Sequence, residues 1–237
     1  MLVLKWPLNL YRERGGGDTC RVVTVREPLV GRDAELAFLR DRLAAARAGA
    51  GQVVLVCGAA GIGKTRLAEE LAASAGVQVG WGGALDDAGM PPLWPWARAV
   101  RDLPAPSAAV AALAAGALQR RYGSAEDAAA AVFAADTQVV DALAEQAQPG
   151  RALLLVLDDL QWADGATLRL LGRVAREVRR LPLLIVGTQR DQTGGSRPGS
   201  PVQGVSDVLH LRPLTPTESA TLLSGATAAA AASSAEP

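Results

Sequence analysis

Lysine is almost absent from this chain. Of the 24 basic residues, 22 are Arg and two are Lys, Lys5 and Lys64. Aromatic residues make up 4% of the chain, too few for the stacking platforms that bind single-stranded nucleic acid. His210 is the single histidine, and Cys20 and Cys57 are the two cysteines, so no zinc site of His/Cys type can be assembled. Net charge is missing too, because 24 acidic residues balance 24 basic ones. A neutral chain carries no electrostatic footprint for nucleic acid or an anionic membrane. No apolar run reaches the roughly 18 residues of a membrane span. The first ten residues hold one Lys and no sustained apolar stretch, so no secretory signal is read. Cys57 lies in an apolar run and reads as a buried reduced thiol, which suits a cytoplasmic setting.

What is present is apolar bulk and a repeating order of elements. Hydrophobic residues are 49% of the 237, enough for a sizeable core, although much of that share is Ala, which favours helices and fills little volume. Residues 1–27 read as an irregular leader. Asp33 to Arg47 reads as a helix with Leu36, Leu39 and Leu43 on one face, Asp33 as its cap and Gly49 as its stop. Val53–Cys57 is a Val-rich apolar run, as in a strand buried on both faces. Lys64 to Ala75 is an amphipathic helix with Leu67, Ala68 and Leu71 inward, and Val77–Gly83 a second strand. The prolines of Met90-Pro91-Pro92-Leu93-Trp94-Pro95-Trp96 argue against regular structure there. A helical insertion occupies about 97–148, broken near Pro104-Pro106 and Gly123. Leu153–Leu157 is the third strand, Thr167–Arg180 a helix, Leu183–Gly187 the fourth strand, and Val208–Leu211 a short fifth. A polar loop covers 191–206. Thr217–Leu223 begins another helix, before a low-complexity tail at 225–237. Alternating strands and helices imply an α/β fold: a three-layer α/β/α sandwich on a mostly parallel five-stranded sheet. Ligands of such sheets bind at the carboxyl ends of strands. Three polar clusters stand there: Gly58–Thr65, Asp158-Asp159, and Thr188-Gln189-Arg190.

The first cluster is the most specific. Gly58-Ala59-Ala60-Gly61-Ile62-Gly63-Lys64-Thr65 fits the phosphate-binding loop pattern G-x-x-x-x-G-K-[ST], and it lies between a strand and a helix as that pattern requires. Glycines let the backbone wrap a phosphate with N–H groups pointing inward. The helix beginning at Lys64, with Arg66 in its first turn, adds a positive dipole. Lys64 is placed to reach the β- and γ-phosphates, and the Thr65 hydroxyl to ligate Mg²⁺. An otherwise Arg-using chain has Lys here because a forked guanidinium cannot replace a compact ammonium inside the loop.

The second cluster ends the most apolar strand. Asp158 is expected to hold the Mg²⁺ shell, and Asp159 to orient or activate a water facing the γ-phosphate. In the third, Arg190 is the candidate γ-phosphate sensor, because the fourth strand of additional-strand P-loop folds lies between the other two. Guanine-reading P-loop proteins carry an [NT]-K-x-D motif, and neither lysine here sits in one, so ATP or ADP is the expected nucleotide. His210 is expected to be structural, Trp162 to serve packing, and Trp94 and Trp96 to pack locally.

Several segments recur in one order: Leu29-Val30-Gly31-Arg32-Asp33-Ala34-Glu35-Leu36, the P-loop, Pro91-Pro92-Leu93-Trp94-Pro95-Trp96, Leu157-Asp158-Asp159-Leu160-Gln161-Trp162-Ala163-Asp164, Gly187-Thr188-Gln189-Arg190 and Leu211-Arg212-Pro213-Leu214-Thr215. Over about residues 28–224 they resemble the AAA-type ATPase domain of bacterial signal-transduction ATPases. These include large LuxR-type and MalT-like transcriptional regulators. The resemblance implies that Gly31 and Arg32 lie near the adenine and ribose, that Arg190 is a sensor, and that Pro213 starts the linker to a small helical subdomain. That subdomain and a winged-helix segment would follow Leu223. The sequence instead turns Ala/Ser-rich there, which reads as a stand-alone core, a truncated product or a gene fragment.

The function expected is Mg²⁺-dependent ATP binding with slow hydrolysis in a regulatory module, with self-association or a regulatory protein as partner. A P-loop enzyme transferring phosphate to a small molecule is the alternative. A DNA-associated AAA ATPase is a third reading, weakened by the neutral charge and the lack of a DNA-binding motif.

Overall fold

The computed structural model describes residues 11–12, 22–23, 29–87, 89–101, 103, 125–191 and 204–224, with the backbone alone for 11–12, 22–23 and 125–131. The leader apart from those short pieces, the breaks near Pro104-Pro106 and Gly123, most of the 191–206 loop, the 225–237 tail, Lys5 and Cys20 lie outside the described residues.

The chain forms two compact units, Arg32–Pro213 and a smaller one drawn from Met1–Gly31 and Leu214–Pro237. The smaller unit contains a short antiparallel pair, β1 (Tyr11–Arg12) with β2 (Val22–Val23). It also contains a helix over 216–224. That helix opens on a reciprocal cap: Glu218 Oε2 accepts from the Thr215 N–H at 2.7 Å, while Thr215 Oγ1 accepts from the Glu218 N–H at 3.3 Å. Each side chain satisfies a backbone donor that the first helical turn leaves without a partner.

The larger unit holds a parallel sheet. Its strands are β3 (Gln52–Gly58), β4 (Gln78–Gly83), β5 (Leu153–Asp158), β6 (Leu183–Arg190) and β7 (Asp207–His210), in the spatial order β4-β5-β6-β3-β7. All four pairings are parallel. β6 therefore runs between the loop-bearing strand β3 and the acid-bearing strand β5, as the sequence implied for the fourth strand. Side chains alternate across the sheet. Val53, Leu55, Leu153, Leu155, Leu183 and Ile185 join one cluster with Trp96, Leu143, Leu170 and Val174. The alternate residues Val54, Val56, Leu154, Val156, Leu184 and Val186 are buried as well. A sheet covered on both faces requires such continuous apolar strands.

The covering helices are α1 (Asp33–Arg47), α2 (Lys64–Ser74), α3 (Trp94–Arg101), α4 (Ala125–Gln146) and α5 (Gly165–Glu177). α1 and α2 bury Leu36, Leu39, Leu43, Leu67, Ala68 and Leu71. Two local expectations are corrected. Asp33 does not cap α1: Arg32 holds the cap position, with φ −131°, and Asp33 is already inside the first turn. Capping needs an acceptor side chain on the last non-helical residue, and that residue is an arginine. The Trp94-Pro95-Trp96 segment is helical. Pro95 falls in the first turn of α3, where its missing N–H would have had no helical partner anyway. The chain enters that helix through Leu93, at φ +64°.

α3 lies close on β4 because two strand residues have no Cβ. A Cβ on Gly80 would stand 2.2 Å from the Ala99 carbonyl oxygen, and one on Gly82 would stand 1.8 Å from that of Pro95. Backbone meets backbone there, and the contact fixes α3 beside the carboxyl end of the sheet.

Candidate functional site

β3 ends in the loop Gly58–Gly63, and α2 begins at Lys64. Gly61 and Gly63 take φ +72° and +100°, values that side-chain-bearing residues rarely adopt. A Cβ at either would meet nothing within 4 Å. The loop is therefore left-handed at these glycines and open around them, with Ala59, Ala60 and Gly61 exposed. Ile62 and Thr65 are half-buried.

Lys64 is 6% exposed. Its Nζ donates to the Gly58 carbonyl at 3.0 Å and the Ala59 carbonyl at 2.8 Å. Burial pushes its pKa down. The charge of Asp159 opposes this most strongly, Arg190 adds to the lowering, and Asp191 and Asp158 oppose it. An ammonium buried on two neutral carbonyls keeps a donor to spare.

Asp158 ends β5 and Asp159 follows it, and the charges of both act on this lysine. Asp158 is 2% exposed. Thr65 Oγ1 lies 3.1 Å from each of its carboxylate oxygens, and Thr188 Oγ1 donates to its Oδ1. Burial raises the Asp158 pKa; the Thr188 hydrogen bond lowers it, the charge of Asp159 raises it, and the Thr65 hydrogen bond lowers it. Thr188 is buried within β6, and its hydroxyl also accepts from the Asp159 N–H at 2.9 Å. Asp159 itself sits at φ +57°, an uncommon conformation for a residue with a side chain.

The third cluster is corrected in place. Thr188, Gln189 and Arg190 are the last residues of β6 rather than a loop after it. The three differ in burial, which falls off toward the strand end. Thr188 turns inward to Asp158. Arg190 is exposed, with its guanidinium 5.7 Å from the centre of the Trp162 ring. The Trp162 side chain is 40% exposed. His210 ends β7 and pairs with Asp191 through Nδ1 at 3.5 Å, on the surface.

The remaining sequence candidates are spread out. Arg66 pairs with Glu70 at 3.0 Å along α2. Arg32 is 4% exposed, and its guanidinium donates to the Ile62 carbonyl at 3.1 Å and pairs with Glu35 at 3.1 Å. It supports the loop through its side chain. Gly31, in the smaller unit, has φ +66°, and a Cβ there would meet Glu218 at 2.6 Å.

Two residues carry more than sequence reasoning assigned them. Gln161 donates to Asp159 Oδ1 at 2.7 Å and accepts from the Arg190 N–H at 3.0 Å. Asp164 caps α5, accepting from the N–H groups of Ala166 at 2.9 Å and Thr167 at 3.1 Å. Its second oxygen takes the Thr167 hydroxyl at 2.6 Å and the Leu93 N–H at 3.1 Å. Burial works to raise the Asp164 pKa, but these hydrogen bonds outweigh it and hold the group below the ordinary value of 3.8. The signal for Asp164 was present as an Asp three residues before Thr167, at a helix start. Gln161 had no comparable signal, because one of its two partners, the Arg190 N–H, lies 29 residues away on β6.

Residues 28–186 match the family model described as AAA ATPase domain. The chain belongs to that family. No curated protein matches it. Among solved structures, the AAA ATPase chain is similar to Cdc6p from Pyrobaculum aerophilum, at 18% identity and TM-score 0.51, with 86% of this chain and 51% of that one covered. It also matches the Aeropyrum pernix ORC1 protein in complex with DNA, at 23% identity, TM-score 0.49 and coverages of 85% and 50%. A third match is the STAND protein PH0952 from Pyrococcus horikoshii, which has a tetratricopeptide repeat sensor: 20% identity, TM-score 0.43, coverages of 83% and 25%. The AAA ATPase chain spans about half the length of the first two and a quarter of the third. The Cdc6p likeness shows the P-loop α/β fold.

The family implies a nucleotide, typically with Mg²⁺, and the residues present fit both. The exposed glycine loop at a helix N-terminus and the buried ammonium suit a phosphate chain. The paired oxygen donors of Thr65 and Asp158 suit a hard divalent cation. Among the described residues no group of three or more His, Cys, Asp or Glu could hold a metal alone. No helix of the described residues is long and apolar enough to cross a membrane.

Proposed function

We propose that this AAA ATPase domain binds ATP and ADP with Mg²⁺ and hydrolyses ATP slowly, as the nucleotide switch of a regulatory protein. The observation that carries the reading is the Lys64 ammonium, buried on the Gly58 and Ala59 carbonyls of the glycine loop, in a site that also holds the Thr65–Asp158 pair.

In this reading the N–H groups of Gly58 to Thr65 surround the phosphates, and Lys64 neutralises charge that gathers on the β- and γ-oxygens. Thr65 and Asp158 would supply oxygen ligands to Mg²⁺, which would offset phosphate charge. Asp159 accepts a hydrogen bond from the attacking water and sets its line of approach. Arg190, at the end of β6, is the group that registers the γ-phosphate. ATP is favoured over GTP because no [NT]-K-x-D motif is present. The transcription-regulator class, LuxR-type or MalT-like, rests on the resemblance of the flanking Val30-Gly31-Arg32 and Leu211-Arg212-Pro213-Leu214 segments. Self-association or a regulatory protein partner belongs to the same proposal.

Titration calorimetry with a non-hydrolysable ATP analogue tests the reading. The chain is expected to bind it in the presence of Mg²⁺, and Lys64→Ala to lose measurable affinity while keeping its helical circular dichroism. Equal affinity in the two proteins would overturn the assignment of the loop.

A further inference from the structure

Gln161 follows Asp159 by two residues in a single 3-10 turn, Leu160–Trp162. Its amide spans two elements of the site. Nε2 donates to Asp159 Oδ1 at 2.7 Å, and Oε1 accepts the Arg190 N–H at 3.0 Å. The orientation of the amide is dictated by chemistry. A carboxylate only accepts and a backbone N–H only donates, so the flipped amide would set two acceptors and two donors against each other. Gln161 is half-buried, so the bonds are partly screened from water, and charge assistance strengthens the one to Asp159.

The Asp159 backbone is held by the Thr188 hydroxyl on its N–H. Among the described residues Gln161 is the one side-chain hydrogen-bond donor to the Asp159 carboxylate, at Oδ1, and Oδ2 has none. A carboxylate fixed at one oxygen and free at the other is arranged to orient a nucleophile. The same amide fixes the distance between Asp159 and the end of β6, where Arg190 stands.

We propose that Gln161 is a positioning residue for ATP hydrolysis, clamping the Asp159 carboxylate to the backbone of Arg190 so that acid and sensor strand move as one unit. The proposal rests on the hydrolytic reading above. Gln161 touches neither nucleotide nor metal in it, so its loss acts on rate and leaves nucleotide affinity alone.

The test is steady-state kcat and KM for MgATP in the full chain, Gln161→Leu, Gln161→Glu, Asp159→Asn and the double variant Asp159→Asn/Gln161→Leu, each checked for an unchanged melting temperature. Gln161→Leu removes both hydrogen bonds from a half-buried position and is expected to lower kcat about tenfold or more, with KM within about twofold. Gln161→Glu keeps the length but sets a second carboxylate against Asp159, and is expected to lower kcat at least as far. In the Asp159→Asn background, adding Gln161→Leu is expected to change kcat less than about twofold, because the amide then has no carboxylate to orient. Unchanged kcat in Gln161→Leu, or an equal loss with and without Asp159, would overturn the clamp. Nucleotide binding with no turnover in the unaltered chain would overturn the hydrolytic reading and, with it, any control of rate by Gln161. Turnover insensitive to Gln161 would overturn the clamp alone.

Discussion

Neighbouring carboxylates in this protein are in unlike surroundings. Asp158 is buried, bonded to two hydroxyls, and shifted upward by burial. Asp159 is half-buried, beyond the end of β5, at a left-handed backbone position. The difference predicts a division of labour. Asp158→Asn should weaken Mg²⁺-dependent nucleotide binding, since it replaces an anionic ligand by a neutral one. Asp159→Asn should spare binding and lower kcat by about 100-fold, the usual scale for losing a group that assists proton transfer. Calorimetry and turnover on the two variants check this, and equal loss of binding in both would contradict it. Cys57, one residue before the loop, stays out of this chemistry. Burial pushes its thiol up to about 11, with Asp191 adding to the rise and Lys64 opposing it, so the thiol is protonated at neutral pH and acts as core.

The elements that carry the site are held at unusually short range. α3 touches β4 through Gly80 and Gly82, and a Cβ on Gly82 would sit 1.8 Å from the Pro95 oxygen and 2.7 Å from the Pro95 carbonyl carbon. Those neighbours are backbone and cannot swing away. Gly82→Ala is therefore expected to cost about 3 kcal/mol or more, at the high end for overpacking. Gly165→Ala, at a helix start with nothing within 4 Å of the added Cβ, should be nearly neutral. Urea denaturation midpoints of the two variants provide the measurement, and similar values would refute the close approach. The segment before α3 shows why local rules were insufficient. Pro91, Pro92 and Pro95 argued against a helix, yet Pro95 occupies one of the few helical positions that accept proline. Its acceptance depends on where the helix starts, which the packing of Trp96 and Ala99 against the sheet decides.

At the scale of the whole molecule, Asp164 joins the start of α3 to the start of α5 through the Leu93 N–H and its own cap. Its folded-state pKa lies below the ordinary 3.8. A depressed acid contributes its stabilisation in full above the unfolded value and loses it as pH falls through the folded value. Asp164→Ala removes the cap and leaves the Leu93 N–H without its partner, a loss of about 2 kcal/mol at pH 7. The gap between this variant and the parent should persist down to about pH 4 and shrink below it, as the parent's carboxyl protonates. Urea unfolding followed from pH 7 to pH 3 tests this. A gap that stays constant over the range would show that the carboxylate's charge contributes nothing.

The sequence by itself determined the sheet, the loop and the two acids. Val53–Cys57, Leu153–Leu157 and Leu183–Gly187 are apolar at every position or nearly so, and such runs are stable only when both faces are covered. The glycines at 58, 61 and 63 and a lone ammonium at Lys64 form a pattern of neighbours, so reading along the chain sufficed. Strand ends were less legible: Thr188, Gln189 and Arg190 read as following the fourth strand because polar residues normally leave a sheet, yet they extend β6. Only the tertiary structure could decide partners that lie far apart in the chain. Thr188 reaches Asp158 across 30 residues, Arg190 meets Gln161 across 29, and Asp164 meets Leu93 across 71. The Arg32 side chain likewise reaches the Ile62 carbonyl of the loop across 30 residues. Hydrogen bonds of this kind have no periodicity. They exist because parallel strands and their crossovers bring distant strand ends to one edge, and there a buried polar group must find whichever partner the fold has put within reach.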